Sequence, residues 1–549
     1  MSRKINYLNV LLRIIGFLCV LCLVIYPNIC YSLKSDVDLS YVVTSLIYAL
    51  PLVGIAYLLP KKWMLIVIVI FFTTFSIVET AMVDLFGGYL LAGNILSVIR
   101  TNPMESSGFL QNNIHIWWKF LPIVTLSVFS ILFYRRFPFC KKSVVLVAIM
   151  VFIPIIFASS KLVISYKGVL TTKLFVDTRI WNRPPYNVFY QSVNALKEQR
   201  IRKQIKDAES FNFGAIKTDE IPGKEIYILA IGESMRYDNL SLNGKYERET
   251  TPCLSKLKNL ILFDDYYSTA CLTMYSVPMI LTRATPLDYG LNYREKSIFK
   301  PFQECGFKTY AVVNATNLLS YESYLTQGVD SLILVPNVVE NGKIVSGDKT
   351  MIGIVDSLVG KNDKVFIIMQ FLGNHSYYSN YDERFDVYKP NTNTCTEKER
   401  SLSDSLYVNA YDNTILYQDF ILSSLIKTVD KHECVSSFTF VSDHGENVSQ
   451  KGGGHGGDCN PVKTEYHVPF LFWYSDKYGK FYHSKIENAQ RHKHAKINAD
   501  CIFYGLCDMA GILLDSVVRN LSYSVYSNAF EEHERYVLVP DGANIKRVD

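Results

Sequence analysis

Hydrophobic patterning divides the chain into two unlike parts. Over its first third, apolar stretches run nearly unbroken at Tyr7 to Cys30, Val42 to Leu59, Trp63 to Val83, Phe120 to Tyr134 and Val144 to Ile164. Such runs fit helices crossing a hydrocarbon layer about 30 Å thick. The pattern predicts five spans, the fourth being the shortest, with Trp117 and Trp118 suited to an interfacial anchor at its start. The first run follows Arg3 and Lys4. Its length, the lack of an Ala-x-Ala cleavage pattern and the spans that follow predict a retained helix rather than a removed signal peptide. From Lys161 to about Asn212 the pattern turns polar. WNRPPYN, Trp181 to Asn187, reads as a break, and Val193 to Ser210 reads as a helix whose basic face suits either anionic headgroups or water.

The pattern then changes period. EIYILAIGES, FKTYAVVNAT, KVFIIMQFLG and SSFTFVSDHG are short, continuously apolar and rich in β-branched residues, and helical periodicity such as Ser405 to Val429 lies between them. Buried strands alternating with helices predict an α/β domain with a mostly parallel central sheet covered on both faces. The expected organisation is a transmembrane helical domain over 1–165, a bridge over 166–215 and an exported α/β domain over 216–549.

Charge orients this arrangement. Arg3 and Lys4, Lys61 and Lys62, and Arg135, Arg136, Lys141 and Lys142 all fall on one side of the predicted spans, while Asp36 and Asp38 lie in a loop on the other. The positive-inside rule places the N-terminus in the cytoplasm and everything after about Ser165 outside, in the periplasm of a Gram-negative cell. A net charge of +5, from 56 basic and 51 acidic residues, with no basic stripe interleaved with aromatics, argues against a nucleic-acid partner. Of twelve cysteines, eight fall in the exported part, where disulfides are permitted; these eight form no C-x-x-C zinc pattern.

In parallel sheets, ligands gather at the carboxyl ends of strands. There the sequence puts Gly232-Glu233-Ser234, Gly373-Asn374-His375 and Ser442-Asp443-His444-Gly445-Glu446. Carboxylate and imidazole together are the ligand set of a catalytic zinc. A nucleophile is available in STACLTMYSVP, Ser268 to Pro278, ahead of a predicted helix. A threonine there also suits a helix cap, and the helix amides would stabilise phosphoryl oxygens. The glycine-rich stretch Lys451 to Gly457 carries a further histidine, His455.

GESMRYDNLSLNGKYERETTPCL from Gly232, TMYSVP from Thr273, MQFLGNHSYYSNYDERF from Met369, NAYDNTILYQDF from Asn409, SDHGEN from Ser442 and HVPFLFWYSD from His467 follow one another in this order behind the predicted spans. By these motifs, over nearly the whole chain, the sequence resembles the bacterial phosphoethanolamine transferases. That family includes lipid A modifiers and mobile colistin-resistance enzymes, and lies within the alkaline phosphatase and sulfatase superfamily. The resemblance implies an alkaline-phosphatase-like fold and an inner-membrane enzyme facing the periplasm. It implies one zinc held by Glu233, Thr273, Asp443 and His444, with room for a second. Thr273 matches the nucleophile that takes phosphoethanolamine from phosphatidylethanolamine, releasing diacylglycerol. His375 and His455 match additional histidines beside the metal that are placed to bind phosphate oxygens, relay protons or hold a second metal. The expected acceptor is lipid A, another lipopolysaccharide group or another envelope glycan.

The external loop GNILSVIRTNPMESSGFL resembles the family's donor-lipid segment, with Thr101 and Glu105 matching its headgroup contacts and Ser97 standing where the family commonly has asparagine. The disulfide that usually brackets the nucleophile segment is not expected, because Thr269 and Met279 occupy those positions, and Leu402 stands near the usual partner of Cys395. Competing readings are a lipoteichoic-acid-synthase-like glycerophosphate transferase, a sulfatase-like hydrolase and a non-catalytic membrane sensor. The segment lacks the C-x-P-x-R pattern from which sulfatases make formylglycine, and a sensor would be expected to have lost a ligand or the nucleophile.

Overall fold

A computed structural model describes residues 2–35, 39–58, 61–86, 89–100, 114–134, 145–154, 184–203, 210–314, 328–335, 338–340, 343–375, 378–379, 381–394, 403–448, 454–456, 462–542 and 544–549. The chain forms two compact units, residues 1–95 with 109–196 and residues 96–108 with 197–549.

The first unit is helical. It contains α1 (Ser2–Ser35), α2 (Leu39–Leu58), α3 (Lys62–Phe86), α4 (Leu121–Leu132), α5 (Val145–Pro154) and, as far as Leu196, α6 (Asn187–Lys203). Among the described residues, two stretches are long and apolar enough to cross a membrane, Tyr7–Lys34 and Lys62–Leu85; Val42–Tyr57, Ile116–Leu132 and Val145–Pro154 are shorter apolar helices. Each of the five places expected to span thus carries an apolar helix, and two of these reach spanning length within the described residues. Val20, Val24, Val53, Tyr57, Leu65 and Val69 form its core, while Leu18, Val67, Ile70, Phe71, Val128 and Phe152 are exposed. An outer surface this apolar suits lipid rather than water. Glu79 in α3 is fully buried and fully satisfied: it accepts from the Leu90 amide at 3.0 Å and from Asn187 Nδ2 at 2.6 Å. The bridge helix expected from Val193 starts six residues earlier, at Asn187.

The second unit is built on a seven-stranded sheet. Its strands are β1 (Glu225–Gly232), β2 (Leu260–Phe263), β3 (Lys308–Val313), β4 (Ser331–Leu334), β5 (Lys364–Gln370), β6 (Val435–Ser442) and β7 (Phe470–Tyr474). Spatial order is β2-β7-β6-β1-β5-β3-β4. The four neighbour pairs from β6 to β4 are parallel, and β7 runs antiparallel to both β6 and β2. The expected mostly parallel sheet is present, with a mixed edge that sequence patterning did not predict.

Every residue of β1 is buried, since both faces of the sheet are covered. Tyr227, Leu229 and Ile231 face a core with Phe299, Phe302 and α10 (Cys501–Met509), whereas Ile226, Ile228 and Ala230 face one with α8 (Met351–Lys361) and α9 (Asp404–Asp430). This is the two-residue alternation of a strand applied to a wholly apolar segment. Pairing of β6 with β1 runs from Val435↔Glu225 to Ser442↔Gly232, so the two central strands end level with each other. Among the described residues, Cys253, Cys271, Cys305, Cys434, Cys501 and Cys507 of this unit are free.

Candidate active site

The level ends of β1 and β6 place Glu233 and Asp443 side by side, each one residue beyond its strand. The turn after β1 is held in an uncommon conformation: Ser234 has φ of +60°. Its amide donates to Asp443 Oδ1 at 3.1 Å and its hydroxyl to Glu233 Oε1 at 2.8 Å. Strained backbone of this kind persists where surrounding contacts over-determine it. After β6 the chain turns at Gly445, where a Cβ would stand 2.1 Å from the Thr464 carbonyl oxygen, so a side chain there would displace the Asp-His pair.

Helix α7 (Thr273–Leu281) brings in the hydroxyl. Its N-cap is Leu272, and no side chain caps it. Thr273 is therefore the first helical residue rather than the cap, which leaves its hydroxyl for the site. It donates to Glu233 Oε2 at 3.2 Å and lies 3.1 Å from His444 Nε2. His444 Nδ1 is 2.8 Å from the Gly445 carbonyl oxygen. A ring nitrogen facing a carbonyl must donate, so Nε2 presents its lone pair to the site. That lone pair lies 3.4 Å from both Glu233 Oε1 and Asp443 Oδ2.

Asp443 Oδ1 takes two backbone donors, while Oδ2 is buried with no hydrogen-bond partner. Two carboxylates, one of them with an orphaned oxygen, and an imidazole lone pair form an electron-rich cluster that wants a cation. Glu233, His444 and His455 each offer a ligand atom within 4.8 Å of the others. The residues present thus fit a divalent metal of the zinc type, and His455 stands closer to the cluster than an auxiliary position beside it would require. Its ring is 4.0 Å from that of His444, centroid to centroid, and its Nδ1 is 3.3 Å from Glu446 Oε2. The loop carrying His455 is tied back by paired hydrogen bonds between Asn447 and Gly454 at 3.1 and 3.0 Å.

Electrostatics reflect crowding of buried charge. Burial, with the neighbouring Glu233 carboxylate, pushes Asp443 up to about 7. Glu446 is raised to about 7 by burial. Burial opposes the positive charge on His444, yet Asp443 and Glu233 outweigh it and raise the imidazole overall. Burial, reinforced by the nearby charges of His444 and His375, drops His455 well below its ordinary value and keeps it neutral. His375, in the turn after β5, is close enough for its charge to act on both Glu446 and His455. Thr101 and Glu105 lie outside the described residues.

One functional support escaped the sequence reading. Asp348 is fully buried and accepts from the Leu372 amide at 3.1 Å, the Gly373 amide at 3.0 Å and Asn314 Nδ2 at 2.6 Å. It fixes the turn that carries His375. Gly373 is left-handed there, with φ of +52°, and a Cβ would stand 3.0 Å from the Glu233 amide nitrogen. No sequence signal marks Asp348, because its partners lie 24 to 34 residues away.

A family model described as Sulfatase matches residues 225–512. Over 346 residues the chain is 26% identical to the Kdo(2)-lipid A phosphoethanolamine 7''-transferase of Salmonella typhimurium, covering 61% of this chain and 58% of that protein. It is 27% identical over 308 residues to phosphoethanolamine transferase EptA of the same organism, covering 53% of this chain and 54% of that protein. The chain thus spans a little over half the length of these curated relatives. Among solved structures it is similar to an integral membrane protein, lipooligosaccharide phosphoethanolamine transferase A from Neisseria meningitidis, with a TM-score of 0.72, 18% identity and coverage of 93% of this chain and 97% of that one. The C-terminal periplasmic domain of EcEptC from Escherichia coli, in complex with zinc, gives a TM-score of 0.53 at 23% identity, covering 62% of this chain and 95% of that one. At these identities the likeness to solved structures is one of fold.

Proposed function

The chain belongs to the sulfatase family, and on that premise we propose that it is a zinc-dependent phosphoethanolamine transferase of the inner membrane, with five spans and its catalytic domain in the periplasm. It takes phosphoethanolamine from phosphatidylethanolamine onto Thr273 and passes it to an envelope acceptor, lipid A or another lipopolysaccharide group. The observation that carries this reading is the Thr273 hydroxyl, uncapped at the start of α7 and within 3.2 Å of both Glu233 and His444. The names of the similar transferases support the transferred group and the acceptor class.

Glu233, Asp443, His444 and Thr273 would hold the zinc, with His375 and His455 beside it and room for a second ion. Bound zinc supplies Lewis acidity that lowers the pKa of a hydroxyl. Thr273 Oγ1 gives its proton to the Glu233 carboxylate and attacks phosphorus; the bond from phosphorus to the glycerol oxygen breaks, and that oxygen leaves with the proton as diacylglycerol. Amides in the first turn of α7 and its positive dipole end stabilise the phosphoryl oxygens. In the second half, neutral His455 takes the proton from the acceptor hydroxyl, the acceptor oxygen bonds to phosphorus, and Thr273 leaves with that proton. Thr101 and Glu105 are assigned to the donor headgroup.

Mass spectrometry of full-length protein incubated with phosphatidylethanolamine tests the reading. A phosphoethanolamine increment on the peptide containing Thr273 is expected; turnover without that adduct, under conditions that trap it, would overturn the covalent route.

A further inference from the structure

Helix α6 is folded the wrong way round for water. Its buried face carries Asn187, Gln191 and Ala195, which are 1%, 0% and 3% exposed. Its open face carries Phe189, Val193 and Leu196, which are 48%, 49% and 58% exposed. At 100° per residue these two sets fall on opposite sides of the helix. The buried side is polar because it is hydrogen-bonded: Asn187 Nδ2 donates to Glu79 and to the Leu90 carbonyl, and Gln191 Oε1 accepts from the Ala92 amide at 3.1 Å. A helix of a water-facing protein buries its apolar stripe and exposes its polar one.

We propose that the Phe189, Val193 and Leu196 face of α6 is an interfacial lipid-binding surface, seated among the acyl chains just beneath the headgroups of the leaflet from which the predicted spans emerge. Two further observations select lipid as the occupant. Phe189 stacks on Phe71 of α3, with ring centroids 5.5 Å apart, and Phe71 is itself 41% exposed on a helix long enough to cross the bilayer. The apolar face of α6 therefore continues the lipid-facing surface of α3. The sequence that follows the stripe carries Lys197, Arg200, Arg202 and Lys203, a cationic run of the kind that suits anionic headgroups. The feature that carries the surface is thus the apolar stripe; the basic residues flank it. The proposal rests on the first unit being membrane-embedded and is independent of the chemistry assigned to Thr273.

The test uses full-length protein in nanodiscs of phosphatidylethanolamine and phosphatidylglycerol, with the photocrosslinker p-benzoylphenylalanine replacing Val193 or Leu196 in turn. Val517, 88% exposed in the second unit, is the comparison position. Illumination should add the mass of one phospholipid at 193 and at 196 and none at 517. Since both replaced positions are open, folding is not at stake, and a thermal midpoint unchanged from the unsubstituted protein verifies this. Absence of a lipid adduct at both positions, or a crosslinked dimer of the chain in place of the lipid adduct, would overturn the proposal. Failure of the unsubstituted protein to transfer phosphoethanolamine, with lipid adducts formed at 193 and 196, would instead count against the catalytic reading alone.

Discussion

Each unit buries a carboxylate completely, Glu79 in the first and Asp443 in the second, and their surroundings differ in kind. Both oxygens of Glu79 are matched, one by a backbone amide and one by a side-chain amide. Asp443 has one matched oxygen and one bare one, 3.4 Å from an imidazole lone pair and beside a second carboxylate. A satisfied buried carboxylate holds chain segments together; a bare one among other electron-rich atoms is half of an interaction whose other half is a ligand. Buried polarity separates architecture from function only once its partners have been accounted for.

The largest effect should come from Asp443→Ala. Zinc content of the purified protein should fall to background and transfer with it, whereas Glu79→Ala should leave zinc content unchanged; retention of zinc in the first variant would erase the contrast between the two carboxylates. Next is Thr273→Ala, which should lower transfer by on the order of 10³-fold or more while metal analysis still finds zinc. Residual diacylglycerol release near the wild-type rate would remove Thr273 from the mechanism.

Glu79→Ala should then act on stability alone. It strands the buried Leu90 amide, at a cost of about 1–3 kcal/mol, and leaves Asn187 Nδ2 with only its bond to the Leu90 carbonyl. A lower thermal midpoint with unchanged transfer per folded molecule is the expected pattern; unchanged midpoint would mean that the node is not structural. The smallest effect is on pH dependence of the metal-free protein. Asp443 and Glu446 are raised to about 7, above the ordinary carboxylate range near 4, by burial. Between those pH values the folded state keeps protons that the unfolded state has released. The stability that these two groups contribute to the metal-free form should accordingly be full below about pH 4 and be lost as pH rises through about 7. Zinc affinity should rise over the same window, because the carboxylates must be deprotonated to bind it. Denaturant titrations of stripped protein at a series of pH values check the slope, and the double variant Asp443→Asn with Glu446→Gln should flatten it.

Much of this was legible in the sequence, for a stateable reason. β1, β3, β5 and β6 are continuous apolar runs because both faces of the sheet are covered, and the residues that follow them carry the site. β7 was visible as FLFWY but not as a strand between β6 and β2, since an antiparallel insertion looks locally like any other buried run. Short edge strands such as β4, with alternating exposure, carry weaker signals still. Thr273 is ambiguous in sequence between a helix cap and a free hydroxyl, and only backbone geometry, with Leu272 at the cap, separates the two. Asp348 was invisible because a residue that acts by capping a distant turn leaves no local pattern.

The level pairing of β6 with β1 has a consequence for how this gene can change. Eight consecutive partners, Val435↔Glu225 through Ser442↔Gly232, place Glu233 and Asp443 abreast by counting residues from a shared baseline. One codon gained or lost within either strand would advance one of them by about 3.3 Å and turn its side chain to the opposite face. Small insertions or deletions should therefore be far less tolerated within 225–232 or 435–442 than point substitutions there. Deep scanning of single-codon insertions along the gene would draw this boundary directly.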